Sequence, residues 1–201
     1  MRQMSLKAQW VKHFTYTTTD SNCSVKLQNI LDEQFNPEAS NTVRVSDITY
    51  IETKNEGFVY LTCIMDLYSR KIIAWTLSRT LEACYVSETV EKAKARRNLG
   101  KTLLFHSDRG SQYVSETFPN VIEEMIHSYS KKAYPWDNAC IESFHALIKR
   151  EWLKNKQIQG YEEAYRLVFE YIEAFYNTIR IHSHCGYLSP EQYEKKYVSS
   201  Q

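Results

Sequence analysis

The chain has 201 residues, 43% of them hydrophobic and 13% aromatic, which suits one generous domain and is too apolar for a disordered tail. A net charge of +1 excludes nucleic-acid or membrane binding driven by overall charge and leaves such work to local patches. The five cysteines, at positions 23, 63, 84, 140 and 185 with no C-x-x-C pair, argue against a disulfide scaffold and for a reducing compartment. With no secretory signal and no apolar run of roughly 18 residues, the expected location is the cytoplasm, without membrane contact.

Residues 1–42 are polar and lack usable periodicity, so they read as an N-terminal arm with a modest basic sprinkling at Lys7, Lys12, His13 and Lys26. Order begins at "VRVSDITYI" (43–51), whose β-branched residues alternate as a strand does. "NEG" turns the chain into "FVYLTCIMDL" (58–67), an apolar run typical of a strand covered on both faces. "YSR" leads to a third strand, "KIIAWTLS" (71–78), which completes an antiparallel meander. A helix is predicted over 82–97, a strand over 102–107, a helical stretch over 115–125 and a short strand near 126–130. Pro119 is tolerable in that stretch only in a first turn or at a break. Long helices are predicted over roughly 138–154 and 161–177. The order β-β-β-α-β-α-β-α-α describes an α/β protein, a mixed sheet with helices packed on it, and is the order used by ribonuclease H-like folds.

Three carboxylates stand where such a sheet can gather them. Asp47 lies in the first strand, Asp108 ends the fourth, and Glu142 opens the helix after "PWDNA". Three hard oxygen ligands suit Mg²⁺ or Mn²⁺. Two such ions can activate an attacking oxygen and stabilise a leaving one at a phosphodiester. Each acid taken alone has an ordinary alternative: a turn or ion pair for Asp47, and complementing a helix dipole for Glu142. Asp66, in "MDLYSR", reads as the start of a tight turn.

"SDITYI", "DLYSRKIIAW", "HSDRGSQY", "PWDNACIESFHALIKREW", "YIEAFYNTIRIH" and "GYLSPEQY" occur in this order. Together they resemble the core of bacterial insertion-sequence transposases of the two-frame family, whose second frame carries a retroviral-integrase-like DDE domain. The resemblance spans about residues 36–197 and implies a ribonuclease H-like mixed five-stranded sheet flanked by helices. It implies that Asp47, Asp108 and Glu142 are catalytic and bind two Mg²⁺ or Mn²⁺ ions. The implied activity is DNA transposition, integration and recombination: phosphodiester cleavage at element ends, then strand transfer, by a homo-oligomer on DNA. Residues 1–42 would be the trailing part of an upstream DNA-binding region, seen in "MSLKAQWVKHF", and 43–201 the catalytic core with C-terminal helices. Two departures stand out. Arg44 occupies a position where the family often has tryptophan. The interval from Asp108 to Glu142 is two residues shorter than usual, the shortfall lying between Phe118 and Met125, and two residues turn a helix face by about 200°. An impaired product that only binds DNA or partners is the alternative to an active enzyme.

Around the acids, His145 and Lys149 follow Glu142 at i+3 and i+7, on one face of the helix, and Lys149 is placed either at a DNA phosphate or in solvent. Arg109 can hold a phosphate or pair with an acid. His106 is read as a hydrogen-bonding group of the framework, while Gln112 and Tyr113 either abut the substrate or complete a turn. Asp137 and Asn138 are expected to cap the catalytic helix. Lys131 and Lys132, interleaved with aromatics in "SKKAYPW", have the composition of a strand-gripping loop. His182, His184 and Cys185 lack a second clustered pair of ligands, so zinc is not expected there.

Overall fold

The computed structural model describes residues 27–97, 102–115, 118–132 and 134–198. Strand β1 (Val43–Thr53) pairs antiparallel with β2 (Gly57–Asp66) over ten rungs, from Arg44↔Asp66 to Thr53↔Gly57. Gly57 takes φ +73° at the turn, a conformation open to glycine at little cost. β2 pairs antiparallel with β3 (Ile72–Ser78), which completes the meander. β4 (Leu104–Ser107) and β5 (Ile126–Tyr129) add in parallel, giving the order β3-β2-β1-β4-β5. β4 reaches only from Val43 to Ser46 along β1. Beyond Ser46, no strand among the described residues lies on that side of β1, although β1 is the middle strand.

Helix α1 (Ala83–Arg96) buries Val86, Thr89, Val90 and Ala93, a spacing that lines one helical face. With Ile64, Phe105, Tyr113 and Phe118 it fills the core on one side of the sheet. Helices α3 (Ala139–Ile148) and α4 (Tyr161–Phe169) fill the other, burying Ile141, Phe144, Ile148, Leu167 and Val168 against Val45, Leu61 and Met65. Each fully buried side chain of this size contributes about 1.5–3 kcal/mol. This two-sided cover explains why all seven residues of edge strand β3 are buried.

Among the described residues of the stretch predicted helical over 115–125, one turn is helical, α2 (Phe118–Val121). Pro119 falls inside that turn, where its missing N–H breaks no helical hydrogen bond. Both long helices change pitch near their ends. α3 runs into a π-helical turn at Lys149–Leu153, where the Lys154 N–H donates to the Lys149 carbonyl at 2.8 Å. α4 does the same over Glu170–Tyr176, closed by the Asn177 N–H on the Ile172 carbonyl at 3.1 Å.

A final helix, α5 (Pro190–Val198), absent from the predicted elements, is fastened to the meander by charge. Glu194 accepts two bonds from the Arg97 guanidinium, at 2.8 and 2.7 Å, and one from Ser69 Oγ at 2.6 Å. Arg97 also lies 3.5 Å from the wholly buried Asp66. Asp66 does start its turn, accepting the Tyr68 N–H at 2.9 Å, and it also holds the Asn41 N–H at 2.7 Å. Arg44 is buried nearby, donating to Asn41 Oδ1 at 3.2 Å. Burial lowers its affinity for the proton and Asp66 partly restores it.

Of the expected N-terminal arm, residues 27–42 lie against the core: Leu31 is buried, and the Ile30 and Leu31 N–H groups donate to Ser128 Oγ at 2.9 and 3.0 Å. Lys7, Lys12, His13, Lys26 and "MSLKAQWVKHF" lie outside the described residues. Among the described residues no helix is long and apolar enough to cross a membrane.

Candidate active site

The three acids are delivered by three elements that meet where β4 ends. Asp47 is the first residue of β1 past the β4 pairing, Asp108 directly follows β4, and Glu142 lies in the first turn of α3. α3 is held by Ile141, Phe144 and Ile148 in the core, with the Phe144 ring edge-on to Tyr176 at 4.7 Å and 74°. The stretch around α2 is followed by β5 in register with β4, and α3 carries Glu142 to within electrostatic reach of the strand acids. Glu142 still feels both aspartates.

That proximity shows in the proton affinities. Burial, then repulsion from Asp47, lifts the Asp108 carboxyl to about 7, against a smaller opposing pull from the Gly110 N–H. Burial, then repulsion from Asp47 and Asp108, lifts Glu142 to about 7. Three partly buried oxygen donors that repel one another make a set whose strain a divalent cation relieves. The residues present therefore fit a hard cation. Among the described residues no group of three or more His, Cys, Asp or Glu is spaced to hold a metal ion as it stands. Each aspartate has a protein partner: His145 Nδ1 lies 3.2 Å from Asp47 Oδ2, and the Gly110 N–H donates to Asp108 Oδ1 at 2.9 Å.

Sequence reasoning missed several supporting groups. A Cβ on Gly110 would come within 3.0 Å of Asp108 Oδ1, so the glycine in "SDRG" keeps the carboxylate clear. His145, predicted to share a face with Glu142, is buried and turned onto Asp47. Beneath the acids the Tyr113 hydroxyl and Ser46 Oγ lie 2.7 Å apart, and Ser46 Oγ donates to the Cys63 carbonyl at 3.1 Å. Tyr113 is thus a buried framework residue, with its ring edge-on to Phe118 at 5.5 Å and 89°. The i+3 spacing was the one signal for His145; nothing local announced Ser46.

The expected caps are not formed. Asn138 stands at the N-cap of α3, but its amide donates instead to the Ser46 carbonyl at 3.3 Å, and Asp137 Oδ2 accepts the Lys131 N–H at 2.6 Å. A short 3₁₀ turn (Pro135–Asn138) precedes the helix, and a partner across the fold for Asn138 and one six residues back for Asp137 take the place of the capping bonds. His106 is a framework group, its two ring nitrogens 2.9 and 3.1 Å from Ser128 and Ser130 Oγ, and burial pushes it down to about 4.

Of the basic residues, Lys149 places its ammonium 4.4 Å from the centre of the Tyr50 ring. Burial weakens its hold on the proton, and Asp47 partly restores it. Arg109 turns from the acids and donates to the Ser130 carbonyl at 2.8 Å and the Leu27 carbonyl at 3.4 Å. Lys131 pairs with Asp32 at 2.9 Å, and Lys132 is exposed beside it. Trp136 follows at 67% exposure. Arg180 pairs with Glu151 at 2.8 Å, and the His182 ring meets Tyr176 edge-on at 4.8 Å.

The chain and its fold have known counterparts. Residues 37–136 match one model of the integrase core domain, and residues 123–190 a second. The chain is 34% identical over 197 residues to the transposase for insertion sequence element IS904 of Lactococcus lactis, covering 97% of this chain and 78% of that one. It is 34% identical over 201 residues to transposase InsF for insertion sequence IS3A of Escherichia coli, covering 99% and 69%. Among solved structures, the HTLV-2 integrase catalytic core domain in complex with magnesium aligns at a TM-score of 0.58 with 12% identity, over 78% of this chain and 98% of that one. The catalytic core domain of BIV integrase aligns at 0.58 with 16% identity, over 80% and 99%. The five-stranded mixed sheet is thus the ribonuclease H-like sheet of integrase cores, and the chain belongs to the insertion-sequence transposases, whose integrase-type catalytic domain it carries.

Proposed function

We propose that Asp47, Asp108 and Glu142 are the catalytic acids of a divalent-metal-dependent DNA transposase that cuts a phosphodiester at an element end and then joins the freed 3′-hydroxyl to target DNA. The observation that carries this reading is the pair of carboxyls lifted to about 7, Asp108 and Glu142, beside a third acid. Three acids from distant parts of the chain are packed together against electrostatic cost, an arrangement more common at functional sites than elsewhere. Asp47, Asp108 and Glu142 would hold Mg²⁺ or Mn²⁺. When bound, such ions supply charge stabilisation and an activated oxygen at phosphorus.

The chain's own residues do the placing. Gly110 leaves the Asp108 oxygens room, and His145 holds one Asp47 oxygen. Lys149, one face along from Glu142, would take a phosphate of the bound strand. Lys131, Lys132 and Trp136 would meet the backbone and bases on the other side of the acids, with Arg109 holding their loop to the sheet. Water displaces the 3′ oxygen from phosphorus in the first step, and that hydroxyl, losing its proton, displaces another strand's 3′ oxygen in the second. No bond between protein and DNA is formed. A homo-oligomer fits the need to hold two ends together. Residues 1–42 would lead from an upstream DNA-binding region, and the buried free thiols of Cys63 and Cys185 fit the cytoplasm.

The test is Asp108→Asn with labelled element-end DNA and Mg²⁺. Loss of cleavage is expected, and undiminished cutting refutes the assignment. Supplying a pre-cut 3′-hydroxyl end should give joined product, which a simple nuclease would not make.

A further inference from the structure

Two aromatic rings on the β1–β2 hairpin are half in solvent, and neither is used by the core. Tyr50 and Phe58 are each 48% exposed and meet edge-on at 5.1 Å and 72°. They lie on the α1 side of the sheet, diagonally across a rung: Tyr50 opposes Tyr60, and Phe58 opposes Glu52. The position of the pair matters more than its composition. Tyr50 follows Asp47 by three residues on β1, about 10 Å at the rise of a strand. It stands along the side of β1 that β4 leaves open after Ser46. Lys149 reaches across that open side and sets its ammonium over the Tyr50 ring at 4.4 Å.

We infer that Tyr50 and Phe58 form a stacking platform for unpaired bases of the DNA strand near the reacting phosphate, with Lys149 taking a phosphate between platform and acids. Stacking on exposed rings beside a cation is how proteins hold single strands without reading sequence. The charges set the direction. The Glu52 carboxylate beside Phe58 repels phosphates, so the strand's backbone lies towards Lys149 and its bases towards the rings. This inference rests on the proposed function and deepens it, because it says which form of DNA the site prefers near the cut.

The test compares binding of a fluorescent oligothymidylate and of a duplex of equal length by the whole chain and by Tyr50→Leu and Phe58→Leu. Each loss of a ring should weaken single-strand binding roughly five- to 150-fold and leave duplex binding nearly unchanged. Tyr50→Trp should keep single-strand affinity, and thermal melts of the leucine variants should match wild type, since both positions are exposed. Equal single-strand affinity in the leucine variants and wild type overturns the platform while leaving the catalytic assignment intact. A lower oligomeric state in those variants, with DNA affinity unchanged, overturns it in favour of a subunit contact. Failure of the wild-type chain to bind either DNA overturns the catalytic reading as well.

Discussion

Asp108→Asn should make the protein more stable at alkaline pH while abolishing its chemistry. Burial and Asp47 raise the Asp108 carboxyl from its ordinary 3.8 to about 7, so the folded chain holds this proton more tightly than the unfolded chain. As pH rises through about 4 the unfolded state sheds its proton first, and folding loses free energy until the folded group also ionises near 7. Stability from this group is therefore greatest below pH 4, falls across that window and is flat above it. The gap between 3.8 and about 7, at about 1.36 kcal/mol per tenfold change in proton affinity, sets a ceiling of about 4 kcal/mol. The carboxyl keeps some access to water, which cuts the figure to about 2 kcal/mol. For a chain of this size that corresponds to roughly 4–8 °C in melting temperature. Thermal unfolding in chelator at pH 4.5, 6 and 8 should show the variant's advantage growing with pH. Added Mg²⁺ should raise the wild type more than the variant and narrow the difference. A variant no more stable than wild type at pH 8 in chelator, or an advantage equally large at pH 4.5, would refute the electrostatic account of the site.

Two further outcomes test the supporting groups. Gly110→Ala should slow DNA cleavage roughly three- to tenfold with little change in melting temperature, because a Cβ 3.0 Å from Asp108 Oδ1 forces the carboxylate aside by a few tenths of an ångström; an unchanged rate shows that the carboxylate has slack. His145→Phe should weaken Mn²⁺ binding by about 10–100-fold in calorimetry, whereas His145→Asn, which keeps an N–H near the Nδ1 position, should restore most of it. Equal affinities in all three proteins would show that the 3.2 Å contact to Asp47 is incidental.

Much of the frame was visible in the sequence because strands with one buried neighbour on each face have few alternatives. "VRVSDITYI" and "KIIAWTLS" are such segments, and their ends fell within two residues of prediction. The positions of the acids were visible for the same reason: a strand end and a helix start are set by local pattern. What the sequence hid were bonds whose partners lie far along the chain. Asn138 looked like a cap because the Ser46 carbonyl, 92 positions away, is invisible to local reasoning. His145 was assigned to the right face, yet its bond to Asp47 depends on how α3 crosses β1. The widened turns after Ile148 and Phe169 have no proline or glycine to mark them. Helix α5 is short and amphipathic only weakly, and it owes its place to Arg97, Ser69 and Lys71 rather than to its own pattern.

The clasp between Glu194 and Ser69 joins positions 125 residues apart. Entropy charges little extra for so long a loop, since the cost grows only with the logarithm of length, but the meeting has to wait for everything between to be in place. In the folded chain Glu194 reaches from α5 to Arg97, Ser69 and Lys71, and Arg97 in turn lies against Asp66. Removing the helix would therefore take one acid from two cations and strip the bend between the second and third strands of its outer brace.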